Sequence, residues 1–144
     1  RILKNNDIAI STDIDGVLDL SDDEFVHELS MHAGGWHDTG SDVPWLGNSA
    51  DFVYFTNTRA GDWGARCLSR LCLELYSEQG YGRNWFCDQV YISAFWDQVS
   101  SSDRSLFHHI VTSDLLRHFQ QYDAFGLSPE GRLDRKSKKI IKII

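Results

Sequence analysis

Ile8-Ala9-Ile10-Ser11-Thr12-Asp13-Ile14-Asp15-Gly16-Val17-Leu18 is the stretch on which the reading of this chain turns. Residues 7–12 form a short apolar run with β-branched residues, the pattern of a buried strand, and it runs straight into Asp13. Gly16 ends it and lets the backbone turn sharply. Two carboxylates two residues apart, just past a strand end, can be aimed at one place. One can attack while the other shuttles a proton. A magnesium ion between them would screen their repulsion and hold a phosphate oxygen. The need for such screening is local. Asp13, Asp15, Asp19, Asp22, Asp23 and Glu24 fall within twelve residues with no basic residue among them. Charges this dense raise one another's pKa unless a helix N-terminus or a hard cation absorbs them. Blander readings exist: Asp-Gly marks plain turns, and Asp-x-Asp-Gly occurs in calcium loops. The further acids of an EF-hand loop are not at their spacing here.

Outward from this stretch, Ser21 followed by Glu24 reads as a capping box, predicting a helix over about 22–32 with Phe25, Val26 and Leu29 inward. Residues 33–49, rich in Gly, Asp, Ser and Trp, read as a long loop. Asp51-Phe52-Val53-Tyr54-Phe55-Thr56 is a second strand, and 57–64 a polar turn. Leu68, Leu71, Cys72 and Leu75 predict a helix over 65–78, ended by Gly80. Residues 89–94 read as a third strand. Phe107, Val111, Leu115 and Phe119, four apart, favour a helix over 103–122. Alternating strands and helices predict an α/β fold: a Rossmann-like parallel sheet flanked by helices, in one domain over 1–144. Ligands bind beyond the carboxyl ends of strands in such sheets. Asp13 and Thr56 would then open onto one edge. A hydroxyl and backbone N–H groups at Thr56-Asn57 suit an anion such as phosphoryl.

The two strings together resemble the haloacid dehalogenase-like (HAD) superfamily of phosphohydrolases. Asp13-Ile14-Asp15-Gly16-Val17-Leu18 matches its first motif, and Val53 to Thr56 its second, an apolar strand ending in Thr or Ser. The resemblance covers about residues 7–80. It implies Asp13 as the nucleophile that takes the phosphoryl group and Asp15 as the acid/base. It implies magnesium on the Asp13 side chain and the Asp15 carbonyl. Thr56 would hydrogen-bond the transferring phosphoryl. The family's third-motif cation falls best on Lys136, with Lys138 and Lys139 as alternatives. Its fourth motif, an acidic pair after another apolar strand, does not follow Lys136. Either the sequence stops before that last strand, as a fragment, or another acid substitutes. Asp114 is the stand-in, with Arg104 for the Lys, although the helical spacing around Asp114 argues against it. The family closes its site with a cap inserted between the two motifs. Only about 30 residues stand there, which implies an open site and a bulky phosphorylated substrate. Trp36, Trp45, Asn57 and Arg59 could contact such a substrate.

The expectation is thus a magnesium-dependent phosphohydrolase or phosphotransferase working through an aspartyl-phosphate on a phosphomonoester. The alternative is an inactive HAD-like binding or interaction domain. A third is an unrelated α/β domain in which Asp13 and Asp15 are turn residues.

Composition bounds these readings. The 144 residues are 42% hydrophobic and 24% charged, enough for one core and too short for two full domains. The apolar runs are too short to span a membrane. The formal net charge is -7, but residues 132–144 carry +5 and the other 131 residues -12. Such a body repels nucleic acid, which could bind only through the basic tail. Cys67, Cys72 and Cys87 make no disulfide framework and no Cys-x-x-Cys pair, which fits a reducing, cytoplasmic setting. Of the six histidines, His27 and His32 stand five apart, not the three or four that share a helix face. Neither they nor His37, His108, His109 and His118 read as metal ligands.

Overall fold

A computed structural model of the chain describes residues 7–12, 16–79 and 87–121. Asp13, Asp15 and Lys136, with the basic tail, lie outside the described residues. β1 (Ile8–Thr12) and β2 (Gly16–Leu18) are followed by α1 (Asp23–Ser30), β3 (Gly34–Asp38), α2 (Pro44–Gly47) and β4 (Asn48–Thr56). Two long helices, α3 (Arg59–Gln79) and α4 (Cys87–Gln98), come next. A 3₁₀ turn then leads into β5 (Phe107–Val111), α5 (Thr112–Leu115) and β6 (Phe119–Gln121). The fold is mixed α/β. Among the described residues the main sheet has four strands in the order β1-β4-β3-β5, and β2 and β6 form a separate two-stranded sheet.

The pairing departs from the expected parallel sheet. β1 runs antiparallel to β4, β4 antiparallel to β3, and only β3 and β5 are parallel. The segment expected to be a loop supplies the reason. It contains β3, which enters the sheet beside β4 after a short connection through α2 and reverses direction there. Two strands joined so closely pair antiparallel, because a parallel pair needs a long crossover.

Residues 52–55 of β4 form an apolar run because both faces of the strand are buried there. Val53 and Phe55 join Trp36, Leu71, Ile92, Phe95 and Phe107 in the core under α3 and α4. Phe52 and Tyr54 join Phe25, Leu29, Ile110, Leu115 and Phe119 on the opposite face, under α1 and α5. Side chains alternate between faces along a strand, so one continuous apolar run fills two cores. β3 passes close to its neighbours. A Cβ on Gly35 would strike the His108 carbonyl and the Tyr54 ring.

The predicted helix after the aspartates forms, but its cap is Asp22, one residue later than expected. The Asp22 carboxylate accepts from the N–H of Glu24 at 2.9 Å and of Phe25 at 3.3 Å. Residues 89–94, read as a strand, lie within α4. Tyr91, Ile92 and Phe95 are its buried residues, with buried Val99 just past its end, a helical spacing that the β-branched run masked. The helix expected over 103–122 is instead a 3₁₀ turn, a strand, a short helix and another strand. Its four-apart apolars split between the two cores: Phe107 faces one, Leu115 and Phe119 the other. Val111 is exposed. Cys67 and Cys72 form no disulfide among the described residues and are half-buried on α3. Burial pushes the Cys67 thiol up, away from reactivity. Among the described residues no helix is long and apolar enough to cross a membrane.

Candidate functional site

Strand direction decides which residues can meet. In the antiparallel β1–β4 pair Ile8 faces Thr56 and Thr12 faces Phe52. Thr56 is thus four residues from the end of β1 that delivers Asp13, about 13 Å along the strand. The two strand ends do not open onto one edge. Thr56 is buried, and its hydroxyl stands 2.9 Å from the His32 carbonyl, 3.2 Å from that of Ala33 and 3.1 Å from Thr58 Oγ1. Its single proton is spent tying β4 to the start of β3. Thr58 in turn accepts from the Gly61 N–H at 3.0 Å, and a Cβ on Gly61 would strike the Thr56 and Ala33 carbonyls. This end is a packed strand-to-helix corner. Asn57 and Arg59 are exposed beside it. The depression there, about 520 Å³, is lined by Asp7, Asp23, His27, Thr56, Asn57 and Thr58 among others. Two carboxylates and no Lys or Arg among its described lining residues make it a poor phosphate site.

The opposite end of the sheet gathers more chemistry. β1, β3 and β5 all finish there and β4 begins there: Asp38 pairs with Asn48 on one side and with Val111 on the other. The β3–β4 register shifts between Trp36 and His37. Trp36 faces Val53 but His37 faces Ser49, so Ala50, Asp51 and Phe52 form a bulge. Bulges re-aim side chains, and this one turns Asp51 onto His37. His37 Nδ1 lies 2.9 and 3.0 Å from the two Asp51 carboxylate oxygens. Its Nε2 lies 2.9 Å from Thr112 Oγ1. A carboxylate only accepts, so Nδ1 carries the proton and donates. In the neutral ring Nε2 then accepts from the Thr112 hydroxyl. Thr112 is the first residue of α5, directly after β5. His37 is only 8% exposed, so the network is shielded from water.

Around this chain stand further polar groups. Asp38 accepts from the Gly40 N–H at 2.8 Å and lies 3.8 Å from His109 Nδ1. His109 packs between Trp36 and Trp96, ring centroids 4.8 and 4.6 Å away. Burial holds its pKa below the ordinary value, and the nearby Asp38 only partly opposes this. Trp36 Nε1 donates to Asn48 Oδ1 at 2.7 Å, fixing the strand beside the bulge.

β1 finishes at this same end with Thr12, the residue that precedes Asp13 in the sequence. Asp114 is exposed on α5 and lies 3.8 Å from Arg117. Arg104 stacks on Trp96, its guanidinium carbon 4.6 Å from the ring centroid. A groove of about 840 Å³ lies between β1 and the helices α3 and α4. Ala9, Val53, Phe55, Leu68 and Ile92 make it largely apolar, and it extends to Thr12.

No local pattern marked His37, Asp51 and Thr112. His37 lay in an expected loop and Thr112 in an expected helix. Comparison with family models, with curated proteins and with solved structures gave no match in any of the three. Among the described residues no group of three or more His, Cys, Asp or Glu is placed to hold a metal ion. A metal reading therefore rests on Asp13 and Asp15.

Proposed function

We propose that this chain is a magnesium-dependent enzyme acting on a substrate that carries a phosphate or diphosphate group, with Asp13 and Asp15 holding the metal. The observation that carries the reading is where β1 ends. β1 finishes with Thr12 at the end of the sheet where β3 and β5 also finish, and Asp-x-Asp-Gly follows Thr12 directly in the sequence. Magnesium favours one or two carboxylates plus substrate phosphate oxygens over an all-protein cage, so two aspartates suffice. The groove that reaches Thr12 is in the range of small-molecule sites, roughly 300–1,000 Å³. It could take the apolar body of a substrate whose phosphates extend toward residues 13–15.

Two routes fit this reading. In the first, Asp13 attacks phosphorus, and Asp15 protonates the leaving oxygen and then activates water. That is the phosphohydrolase or phosphotransferase route that the HAD resemblance implies. It also needs a hydroxyl and a cation on the transferring phosphoryl, and Thr56 stands at the other end of β4. In the second, the metal stabilises a phosphate or diphosphate leaving group while another group passes to an acceptor. This asks only for the carboxylates and the metal, and the position of Thr56 favours it.

Manganese or magnesium titration, with and without a nucleoside diphosphate, tests the proposal. At tenfold the dissociation constant, ligand should add about 1.4 kcal/mol, or a rise in Tm of about 3–6 °C. Asp13→Asn should abolish that rise. Trapping of a beryllofluoride adduct on Asp13 selects the first route, and binding of metal and diphosphate without an adduct selects the second. A Tm that no combination of metal and phosphate compound moves would leave the inactive binding domain as the reading.

A further inference from the structure

The chain Asp51–His37–Thr112 has the layout of an activated nucleophile: a hydroxyl on a base, and the base on an orienting carboxylate. The contacts are 2.9 Å from hydroxyl to imidazole and 2.9 and 3.0 Å from imidazole to carboxylate. Each member comes from a different element: β4, β3 and the β5–α5 junction. Each is oriented by the fold. The bulge at Ala50–Phe52 turns Asp51 inward, and Trp36, locked to Asn48, anchors the residue before His37. Thr112 sits at a strand-to-helix turn, with the Asp38 carbonyl 3.5 Å from its hydroxyl as the only other polar contact of that hydroxyl among the described residues. Thr112 is half-buried while Ser113 and Asp114 beside it are exposed, so a reagent has an approach from that side.

From this geometry we infer that Thr112 is a nucleophile toward acyl groups, with His37 as its general base and Asp51 holding the ring. The class of substrate is a carboxylic ester. Thr112 Oγ bonds to the acyl carbon as its proton passes to His37 Nε2. The C–O bond to the alcohol then breaks, and the leaving oxygen takes that proton. Water completes the cycle: it gives a proton to His37 and its oxygen to the acyl carbon, and Thr112 Oγ departs with the proton. The products are an acid and an alcohol, and His37 ends as it began. The inference does not rest on the metal reading, because none of its atoms belongs to Asp13 or Asp15.

The test is run in EDTA, where any metal-dependent reaction is silent. The probes are p-nitrophenyl acetate and an alkyl fluorophosphonate, which loses fluoride as Thr112 Oγ bonds to phosphorus. Peptide mapping by mass spectrometry should place one adduct on Thr112. Thr112→Ser should keep it and Thr112→Val should lose it. His37→Gln and Asp51→Asn should each slow labelling, His37→Gln by about a hundredfold. Circular dichroism confirms that each variant folds. Should Thr112→Val not fold, the mapped position in the native protein decides alone. An adduct on any other residue, no adduct on folded native protein, or labelling unchanged in His37→Gln would overturn the inference. The last two results would leave the network as a tie between two strands and the start of α5.

Discussion

Each end of β4 has a threonine hydroxyl close by, and the two hydroxyls do different work. At its carboxyl end Thr56 spends its hydroxyl on the backbone of the His32–Ala33 corner, in a depression edged by Asp7 and Asp23. At its amino end a bulge frees Asp51 to hold a histidine, and the histidine reaches a second threonine. A threonine at a strand end is therefore not a site in itself. What differs is whether the neighbouring strands supply carbonyls that consume its proton or an imidazole that can take it away.

The sharpest way to break the comparison is at the residue that supports the amino end. Trp36 is fully buried against Phe95, Trp96 and Phe107, and its indole N–H is bonded to Asn48. Trp36→Ala should cost about 3–5 kcal/mol, read as a fall in the urea midpoint. Labelling of Thr112 should fall with it, even under conditions where the variant remains folded.

Next comes a matched pair. Asp51→Ala leaves a shielded imidazole without its acceptor and should cost roughly 1–3 kcal/mol. Thr56→Val keeps the side chain's volume and removes one hydroxyl from carbonyls, at about 1 kcal/mol. The distinguishing readout is chemical. Asp51→Ala should slow acylation of Thr112, whereas Thr56→Val should leave it and any metal-dependent phosphate binding unchanged. Loss of phosphate binding in a folded Thr56→Val protein would restore Thr56 to the site and break the distinction between the two ends.

The sequence shows part of this and conceals part, for reasons that particular residues make plain. β1, β4, α1 and α3 are legible because each carries its own period over a continuous run. α4 is not, because Val90, Tyr91 and Ile92 look like a strand until Phe95 and Val99 are counted with them. β5 is not, because Phe107 and Leu115 keep a helical spacing while serving cores on opposite faces. At the level of the site, Asp-x-Asp-Gly is legible as chemistry attached to a strand end. The assignment of Thr56 depended on strand direction, which β3 sets and which no feature of β1 or β4 alone reveals. His37, Asp51 and Thr112 meet across separations of 14 and 75 residues, so their meeting is written only in the fold.

Acid offers a further contrast between regions. His108 and His109 on β5 each have a ring nitrogen buried with no partner among the described residues. Burial is the main force lowering the pKa of both, against partial opposition from Glu28 at His108 and Asp38 at His109. A histidine with a lowered folded pKa binds fewer protons folded than unfolded. Stability is therefore highest above the ordinary value of 6.5 and falls as pH drops below it. The urea midpoint should decline between pH 7 and pH 5. His109→Gln should flatten that decline, and an unaltered slope would locate the acid sensitivity elsewhere.

Smaller effects sharpen the comparison because they should be close to zero or reversed in sign. Asn57 and Arg59, the expected substrate contacts, are both exposed beside the carboxyl end of β4. Asn57→Ala and Arg59→Ala should shift stability by no more than about 0.5 kcal/mol and should not alter phosphate binding. Tyr54, in the middle of the same strand, is the informative control. Its hydroxyl is buried without a partner among the described residues, and burial pushes its pKa far up. Removing an unsatisfied buried hydroxyl relieves a desolvation cost that no hydrogen bond offsets. Tyr54→Phe should therefore leave stability unchanged or raise it by up to about 1 kcal/mol. A clear loss would mean that this hydroxyl has a partner in the folded protein, and that the middle of β4 takes part in a polar network now assigned to its ends alone.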